Sequence, residues 1–99
     1  MERGGYIYIM TNYQRTVLYI GVTSDLSVRI IQHQTKFYYK SFTAKYNLST
    51  CIYYEFYPSI EEAIAREKQL KKWNRQKKEV LINFKNKSWN DLSPEILSW

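Results

Sequence analysis

Residues 6–22 read YIYIMTNYQRTVLYIGV, and this stretch decides the fold. Two segments rich in β-branched and aromatic residues, Tyr6–Met10 and Thr16–Val22, flank a short polar stretch. Such residues favour strands, so the pattern predicts a β-hairpin. A four-residue loop places Tyr8 directly opposite Tyr19. A slip of one residue would put these two tyrosines on opposite faces of the sheet.

A helix is predicted to begin at Ser59, which forms a capping box with Glu62 three residues later. The segment as far as Trp73, SIEEAIAREKQLKKW, contains neither Gly nor Pro. Its apolar residues recur at helical spacing, and Glu67 falls in the middle of the face they form. A carboxylate costs several kcal/mol to bury without a partner. Since the adjacent basic side chains project elsewhere, we expect another cation, a side chain or a metal, beside Glu67.

The rest of the chain predicts one more strand and several helices. A helix from about residue 24 to residue 34 carries Arg29 and His33 four residues apart, hence on one face at the edge of the core. Its candidate caps are Thr23, Ser24 and Asp25. Residues 36–47 are predicted as a loop with one helical turn at Phe42–Tyr46. The remaining elements are a strand at Thr50–Tyr57, a helix capped by Asn74 and a short helix that begins with Ser93 as cap and Pro94 in its first turn.

The order ββαβαα predicts an α+β fold in which helices flank a small three-stranded sheet. The 99 residues, 44% of them hydrophobic, are expected to form a single domain over 1–99, with a core at about 5–84 and a tail with a short helix at 85–99. No apolar run is long enough for a membrane span, and the first residues do not resemble a signal peptide. The single cysteine, Cys51, excludes an internal disulfide and is expected to be buried. These features favour a reducing, cytoplasmic setting.

The net charge of +6 favours a polyanionic partner. Between residues 66 and 78 there are seven basic side chains and a single acid, Glu67. This segment has two compatible interpretations, a solvated helical face and a surface that follows phosphates. The residues expected to contact nucleic acid are Lys68, Lys71, Lys72, Arg75, Lys77 and Lys78.

The ordered triplets Tyr6-Ile7-Tyr8 and Tyr19-Ile20-Gly21 resemble the two that give the GIY-YIG nuclease superfamily its name. The similarity continues in the following helix, where Arg29 and His33 match the family's arginine and the Tyr or His after it. Residues 65–71, AREKQLK, resemble the family's helix that bears a metal-binding glutamate.

The resemblance covers roughly Gly5–Ile82 and is greatest to the small stand-alone bacterial members. Two residues depart from the family's pattern. Tyr6 stands where the first triplet has glycine, and Val22 stands where some repair nucleases carry lysine. Gly21 is expected to let the chain turn tightly out of the strand into the next helix.

The resemblance implies a metal-dependent endonuclease that hydrolyses a phosphodiester bond in DNA. On this basis Glu67 holds one Mg²⁺ or Mn²⁺ ion, and Arg29 stabilises negative charge on the phosphate. Tyr8 acts as base or orients the water, and Tyr19 hydrogen-bonds near the same phosphate. His33 assists proton transfer or orients Tyr8. A tyrosine with a pKa of about 10 is a poor base at neutral pH, so Arg29 and the metal are expected to lower the pKa of Tyr8.

Other functions are also compatible with the sequence. The chain could be a nucleic-acid-binding module of the same fold with little turnover, or an interaction domain whose charge serves solubility. Glu67 could pair with Arg29 in a purely structural salt bridge. The expected partner is nucleic acid. The resemblance favours DNA and a role in DNA repair. A further protein could serve for targeting. The oligomeric state stays open.

Overall fold

The computed structural model describes residues 4–99 and has the α+β fold predicted from the sequence. Its elements are β1 (Gly5–Thr11), β2 (Leu18–Thr23), α1 (Leu26–Gln34), α2 (Phe42–Lys45), β3 (Thr50–Tyr57), α3 (Ile60–Lys71), α4 (Arg75–Lys85) and α5 (Ser93–Leu97). The strands form one antiparallel sheet in the order β2-β1-β3. The two short helices, α2 and α5, lie where the sequence predicts helical turns. None of the helices between residues 4 and 99 is long and apolar enough to cross a bilayer.

The β1–β2 hairpin has a different register from the one predicted. Tyr8 pairs with Gly21 instead of Tyr19. The loop between the two strands therefore has six residues, two more than predicted. The loop is longer because the side-chain carbonyl of Asn12 accepts hydrogen bonds from two of its backbone N–H groups, that of Val17 at 3.1 Å among them. Since the shift is an even number of residues, Tyr8 and Tyr19 still project from the same face of the sheet.

The central strand β1 supplies buried side chains to both faces of the sheet. Ile7 and Ile9 face one side, where they pack with buried residues of α3 and α4. Tyr8 and Met10 face the other side, which α1 and α5 cover. Burial of both faces explains why residues 6–10 of β1 do not alternate with charged or strongly polar residues.

Side-chain caps set the beginnings of the longer helices. Asp25 caps α1 and settles the choice among three candidates, while the capping box of Ser59 on α3 and the cap of Asn74 on α4 are confirmed. The final helix and its proline in the first turn are confirmed, but the predicted cap is wrong, because Ser93 is the first helical residue of α5. The backbone N–H of Ser93 donates instead to Asp91 Oδ1 at 3.0 Å.

The segment after α4 packs against the sheet. Ile96 of α5 is completely buried. Along the outer edge of β3, the backbone N–H of Leu92 donates to the carbonyl of Cys51 at 2.7 Å, and Asp91 Oδ1 accepts from the N–H of Cys51 at 3.2 Å. Cys51 is buried, as expected. This segment therefore covers an edge that would otherwise leave backbone groups unpaired.

Candidate active site

Three aromatic rings from three different elements meet on one side of the sheet. Tyr8 comes from β1, Tyr19 from β2 and His33 from α1. The ring centroids are 6.3 Å apart for the two tyrosines, 5.5 Å for Tyr8 and His33, and 5.9 Å for Tyr19 and His33. The hydroxyl of Tyr8 is hydrogen-bonded to His33 Nε2 at 2.9 Å. The spacing of the sequence therefore brings these three predicted site residues together.

Gly21 leaves room for the phenol of Tyr8. The two residues are cross-strand partners, and a Cβ added to Gly21 would lie 2.5 Å from the hydroxyl oxygen of Tyr8. The expectation that Gly21 forms a tight turn is wrong, since Gly21 lies inside β2 and its φ is not positive. Glycine is needed here because the ring of Tyr8 crosses directly over the neighbouring strand.

The environment of Tyr8 keeps its hydroxyl protonated. Burial, followed by the neighbouring Tyr19, raises the pKa of Tyr8 well above its ordinary value. The positive charge of Arg29 lowers this pKa and the negative charge of Glu67 raises it, both by less than burial does. Arg29 lowers the pKa of Tyr8, as expected, but in the protein without a metal the effect of burial is larger and the pKa is raised overall. Arg29 and Glu67 nevertheless lie close enough for their charges to act on this phenol.

His33 is neutral at neutral pH. Burial, reinforced by the charge of Arg29, lowers the pKa of His33 to about 4. One ring nitrogen faces Tyr8, and the other, Nδ1, lies 2.9 Å from the hydroxyl oxygen of Thr43 in α2. The sequence places Thr43 only in a predicted helical turn, since no motif or spacing links it to His33.

Glu67 is partly buried on α3, with 16% of its side chain exposed. Its ion-pair partner is Lys71, whose Nζ lies 3.5 Å from Glu67 Oε1 and one helical turn further along. The expected cation is thus a lysine of the same helix. Among residues 4–99, no ion pair within 4.0 Å joins Glu67 to Arg29, so the structural salt bridge considered above is absent.

Glu67 is suited to bind a divalent metal ion whose remaining coordination positions are filled by water and substrate. The described residues contain no cluster of three or more His, Cys, Asp or Glu side chains that could enclose an ion. Mg²⁺, however, is commonly held by one or two carboxylates, with waters and substrate phosphates completing its coordination. A single carboxylate with a half-exposed lysine partner fits that pattern.

An open cleft of about 320 Å³ lies beside Tyr19. It is lined by Leu18, Tyr19, Ile20, Phe42, Lys71 and Lys78. The ring of Phe42 stacks on Tyr19 with centroids 6.2 Å apart. Two of the six predicted nucleic-acid contacts, Lys71 and Lys78, thus border a cleft at the aromatic cluster, where they can meet a phosphate.

The other four residues predicted to contact nucleic acid differ in whether they already contact other parts of the protein. Lys68 and Lys72 are exposed on the surface. The guanidinium of Arg75 donates to the carbonyls of Arg15 at 2.7 Å and of Thr16 at 3.0 Å, which ties α4 to the hairpin loop. The ammonium of Lys77 lies 4.3 Å from the centroid of Trp73. Arg75 and Lys77 therefore already make intramolecular contacts.

Comparisons with known proteins agree with this architecture. A family model described as the GIY-YIG catalytic domain matches residues 4–80. The solution NMR structure of the UPF0213 protein BH0048 from Bacillus halodurans is similar to this chain, with 27% sequence identity and a TM-score of 0.57. That match covers 91% of this chain and 94% of the other. A search of curated proteins finds no match.

The matched region contains both triplets, the arginine and histidine of α1, and Glu67. It therefore confirms the resemblance on which the sequence analysis relied. The chain belongs to the GIY-YIG family and has its nuclease-type fold.

Proposed function

We propose that the protein is a metal-dependent endonuclease that hydrolyses one phosphodiester bond in DNA. The observation that carries this proposal is the contact of Tyr8, Tyr19 and His33 beside a basic cleft, with the charges of Arg29 and Glu67 acting on the same phenol. Hydrolysis requires a proton acceptor, compensation of negative charge on the phosphate, and a site for the leaving oxygen. Side chains of each kind are present.

Tyr8 and His33 form a path for the proton of the attacking water. Since its pKa is raised, Tyr8 does not rest as phenolate. Because its hydroxyl is buried in the protein without substrate, the mechanism requires that substrate binding admit the attacking water to it. Tyr8 then accepts the proton of the water while its own proton passes to Nε2 of His33, which is 2.9 Å away and neutral. The water oxygen then forms the new bond to phosphorus, the bond from phosphorus to the 3′ oxygen breaks, and that oxygen takes a proton from solvent. His33 releases the proton it received to solvent, which restores the starting state.

Cationic side chains compensate the charge of the phosphate. Arg29 binds the non-bridging oxygens, for which its planar array of donors is suited. A phosphate beside Arg29 also offsets the charge that lowers the pKa of His33, and so makes His33 a better acceptor when substrate is bound. Lys71 and Lys78 hold the neighbouring phosphates in the cleft, and the hydroxyl of Tyr19 orients the reacting one.

Glu67 provides the ligand for Mg²⁺ or Mn²⁺. When bound, the ion would supply Lewis-acid stabilisation of the phosphate and of the leaving 3′ oxygen. Lys71, whose Nζ lies 3.5 Å from Glu67 Oε1, would then be free to pair with a phosphate.

The second candidate is a nucleic-acid-binding module with little turnover. The raised pKa of Tyr8 favours it, because a phenol that holds its proton tightly is a poor base. In this case the cleft and its lysines would bind nucleic acid, and Glu67 would serve only as partner to Lys71.

A cleavage panel distinguishes the two candidates. Labelled single-stranded, duplex, flapped and branched DNA, with RNA equivalents, are incubated with Mg²⁺ or Mn²⁺ and the parent protein. The parallel variants are Glu67→Gln and, as matched control, Glu61→Gln on the exposed face of the same helix. The nuclease predicts cutting of a DNA substrate by the parent and by Glu61→Gln, and loss of cutting in Glu67→Gln. Equal, salt-sensitive binding by all three without cutting would contradict it and favour the binding module.

A further inference from the structure

The short helix α2 contacts two of the three aromatic residues in the site. Phe42 stacks on Tyr19, and the hydroxyl of Thr43 lies 2.9 Å from Nδ1 of His33. Thr43 is buried, with 5% of its surface exposed, although it belongs to a helix of only four residues. Its hydroxyl is also 3.1 Å from that of Ser41, the cap of α2.

The chain of hydroxyl groups can be arranged in two ways around a neutral His33. In the first, Tyr8 donates to Nε2, Nδ1–H donates to Thr43, and Thr43 donates to Ser41. In the second every bond is reversed, and Nε2–H donates to Tyr8. Which ring nitrogen carries the proton is set by the hydrogen bond that the other one makes.

Counting partners favours the first arrangement. The hydroxyl of Tyr8 is buried, and among residues 4–99 its hydrogen-bond partner is Nε2 of His33. If Nε2 carried the proton, the hydroxyl hydrogen of Tyr8 would have no acceptor in that part of the chain, which costs about 1–3 kcal/mol. Ser41 Oγ already accepts from the backbone N–H of Ala44 and can also accept from Thr43.

We propose that Thr43 is a positioning residue of the active site, which holds His33 in the tautomer protonated at Nδ1 so that the lone pair of Nε2 faces the hydroxyl of Tyr8. The consequence for catalysis rests on the proposed nuclease function, since only then does His33 receive a proton from Tyr8. The tautomer itself does not depend on that function.

The chain offers a direct test because His33 is its only histidine. Nitrogen-15 NMR of histidine-labelled protein at neutral pH distinguishes a protonated ring nitrogen from an unprotonated one without ambiguity. The parent is expected to show Nδ1 protonated and Nε2 unprotonated. Thr43→Val, which exchanges the hydroxyl for a methyl group, is expected to mix the two forms, because either tautomer then leaves one buried donor without an acceptor. Thr43→Ser is expected to keep the parent spectrum.

Two results would overturn the proposal. One is a parent protein in which Nε2 carries the proton, a result that needs no variant to fold. The other is a folded Thr43→Val variant whose histidine spectrum equals that of the parent.

Cleavage kinetics then test the catalytic consequence. On a substrate that the parent cuts, Thr43→Val is expected to lower kcat about tenfold or more while leaving KM nearly unchanged, and Thr43→Ser is expected to restore kcat. A loss of kcat that Thr43→Ser does not restore would contradict the catalytic consequence. If the parent cuts nothing, the proposed function fails, while the NMR result still decides the role of Thr43.

Discussion

The phenol of Tyr8 is enclosed by the backbone of Gly21 and by the ring of His33. Only 1% of the residue is exposed. Burial raises the pKa of Tyr8. Close packing around the ring and the hydrogen bond of its hydroxyl to His33 fix the orientation of the side chain. The chemical behaviour of Tyr8 is thus set by neighbours on two other elements.

Replacing Gly21 with alanine is expected to displace the ring of Tyr8. The new Cβ would lie 2.5 Å from the ring atom Cζ of Tyr8 and 2.5 Å from its hydroxyl oxygen. Both distances are too short for non-bonded atoms, so one of the two residues must move. We predict a loss of about 1–3 kcal/mol in the free energy of unfolding, together with weaker cleavage. Urea denaturation measures the first and a single-turnover assay the second. Unchanged stability and unchanged cleavage would mean that the ring does not lie over Gly21.

His33 is expected to make stability depend on pH between about 6.5 and 4. The unfolded chain protonates this histidine below about pH 6.5, whereas the folded protein resists protonation until about pH 4. As pH falls through this window the unfolded state binds the additional proton, so the folded state loses stability, by about 1–2 kcal/mol after allowance for partial exposure.

The control for this prediction is His33→Gln, which lacks the titrating group. Urea denaturation of both proteins at pH 7 and pH 4.5 should show a larger loss in the parent than in the variant. Equal losses would show that His33 is not held neutral by the fold.

The sequence predicted which side chains lie together better than it predicted their electrostatic states. Resemblance and spacing pointed to Tyr8, His33 and Glu67, and the structure places the two rings in contact. The raised pKa of Tyr8 could not be predicted, because burial depends on the packing of α1 and α5 over the ring. The pairing of Glu67 with Lys71 agrees with their spacing of four residues, which places both on one face of a helix.

At the scale of elements, a partly buried carboxylate links α3 to β3. Glu55 accepts hydrogen bonds from the hydroxyl of Tyr57 at 2.6 Å and from Arg66 Nε at 3.0 Å, and the hydroxyl of Tyr53 also donates to it. Burial alone would raise the pKa of Glu55, but bonds from Arg66 and the two tyrosines lower it overall. Arg66 therefore stabilises the packing of α3 against β3. The sequence of the basic segment alone does not distinguish this role from contact with nucleic acid.

The final helix α5 is expected to be essential to stability. Ile96 is completely buried, whereas its neighbour Leu97 is 40% exposed. We predict that Ile96→Ala costs about 2–4 kcal/mol in the free energy of unfolding, through lost burial and the cavity that remains. The matched control Leu97→Ala should cost less than about 1 kcal/mol. Similar small losses in both variants would contradict the packing of α5 against α1.

Element types were predictable here because helix caps and strand composition are local signals. Asn74 and Ser59 mark the beginnings of their helices by side-chain bonds within a few residues. The register of the hairpin was not predictable, since it depends on how Asn12 closes the loop. The docking of α5 depends on contacts distant in sequence.

Across the whole molecule, the lysine side chains lie in different surroundings. Lys71 and Lys78 border the cleft at Tyr19, whereas Lys85 lines a separate hollow with Asn86 and Glu95. In the proposed function, a phosphate backbone in this cleft lies beside the first pair. Binding should therefore depend on where a lysine lies as well as on the net charge.

The paired variant Lys71→Gln/Lys78→Gln is expected to weaken DNA binding severalfold. The slope of log affinity against log salt should fall by about 1 to 2, since two phosphate contacts are lost. Fluorescence anisotropy over a salt series measures both quantities. The control Lys85→Gln/Lys87→Gln removes the same charge elsewhere and should change binding less. Equal effects in the two variants would assign binding to overall charge alone.

The central claim is that Tyr8 and Glu67, far apart along the chain, act in one reaction at one site. A double-mutant cycle in single-turnover cleavage tests it, with Tyr8→Phe, Glu67→Gln and the combination of both. Groups that act as a unit give strongly non-additive losses. We predict that each substitution slows cleavage at least about a hundredfold and that the combination is little slower than the worse single variant. Losses that multiply in full, or a Tyr8→Phe variant that cuts like the parent, would contradict the account.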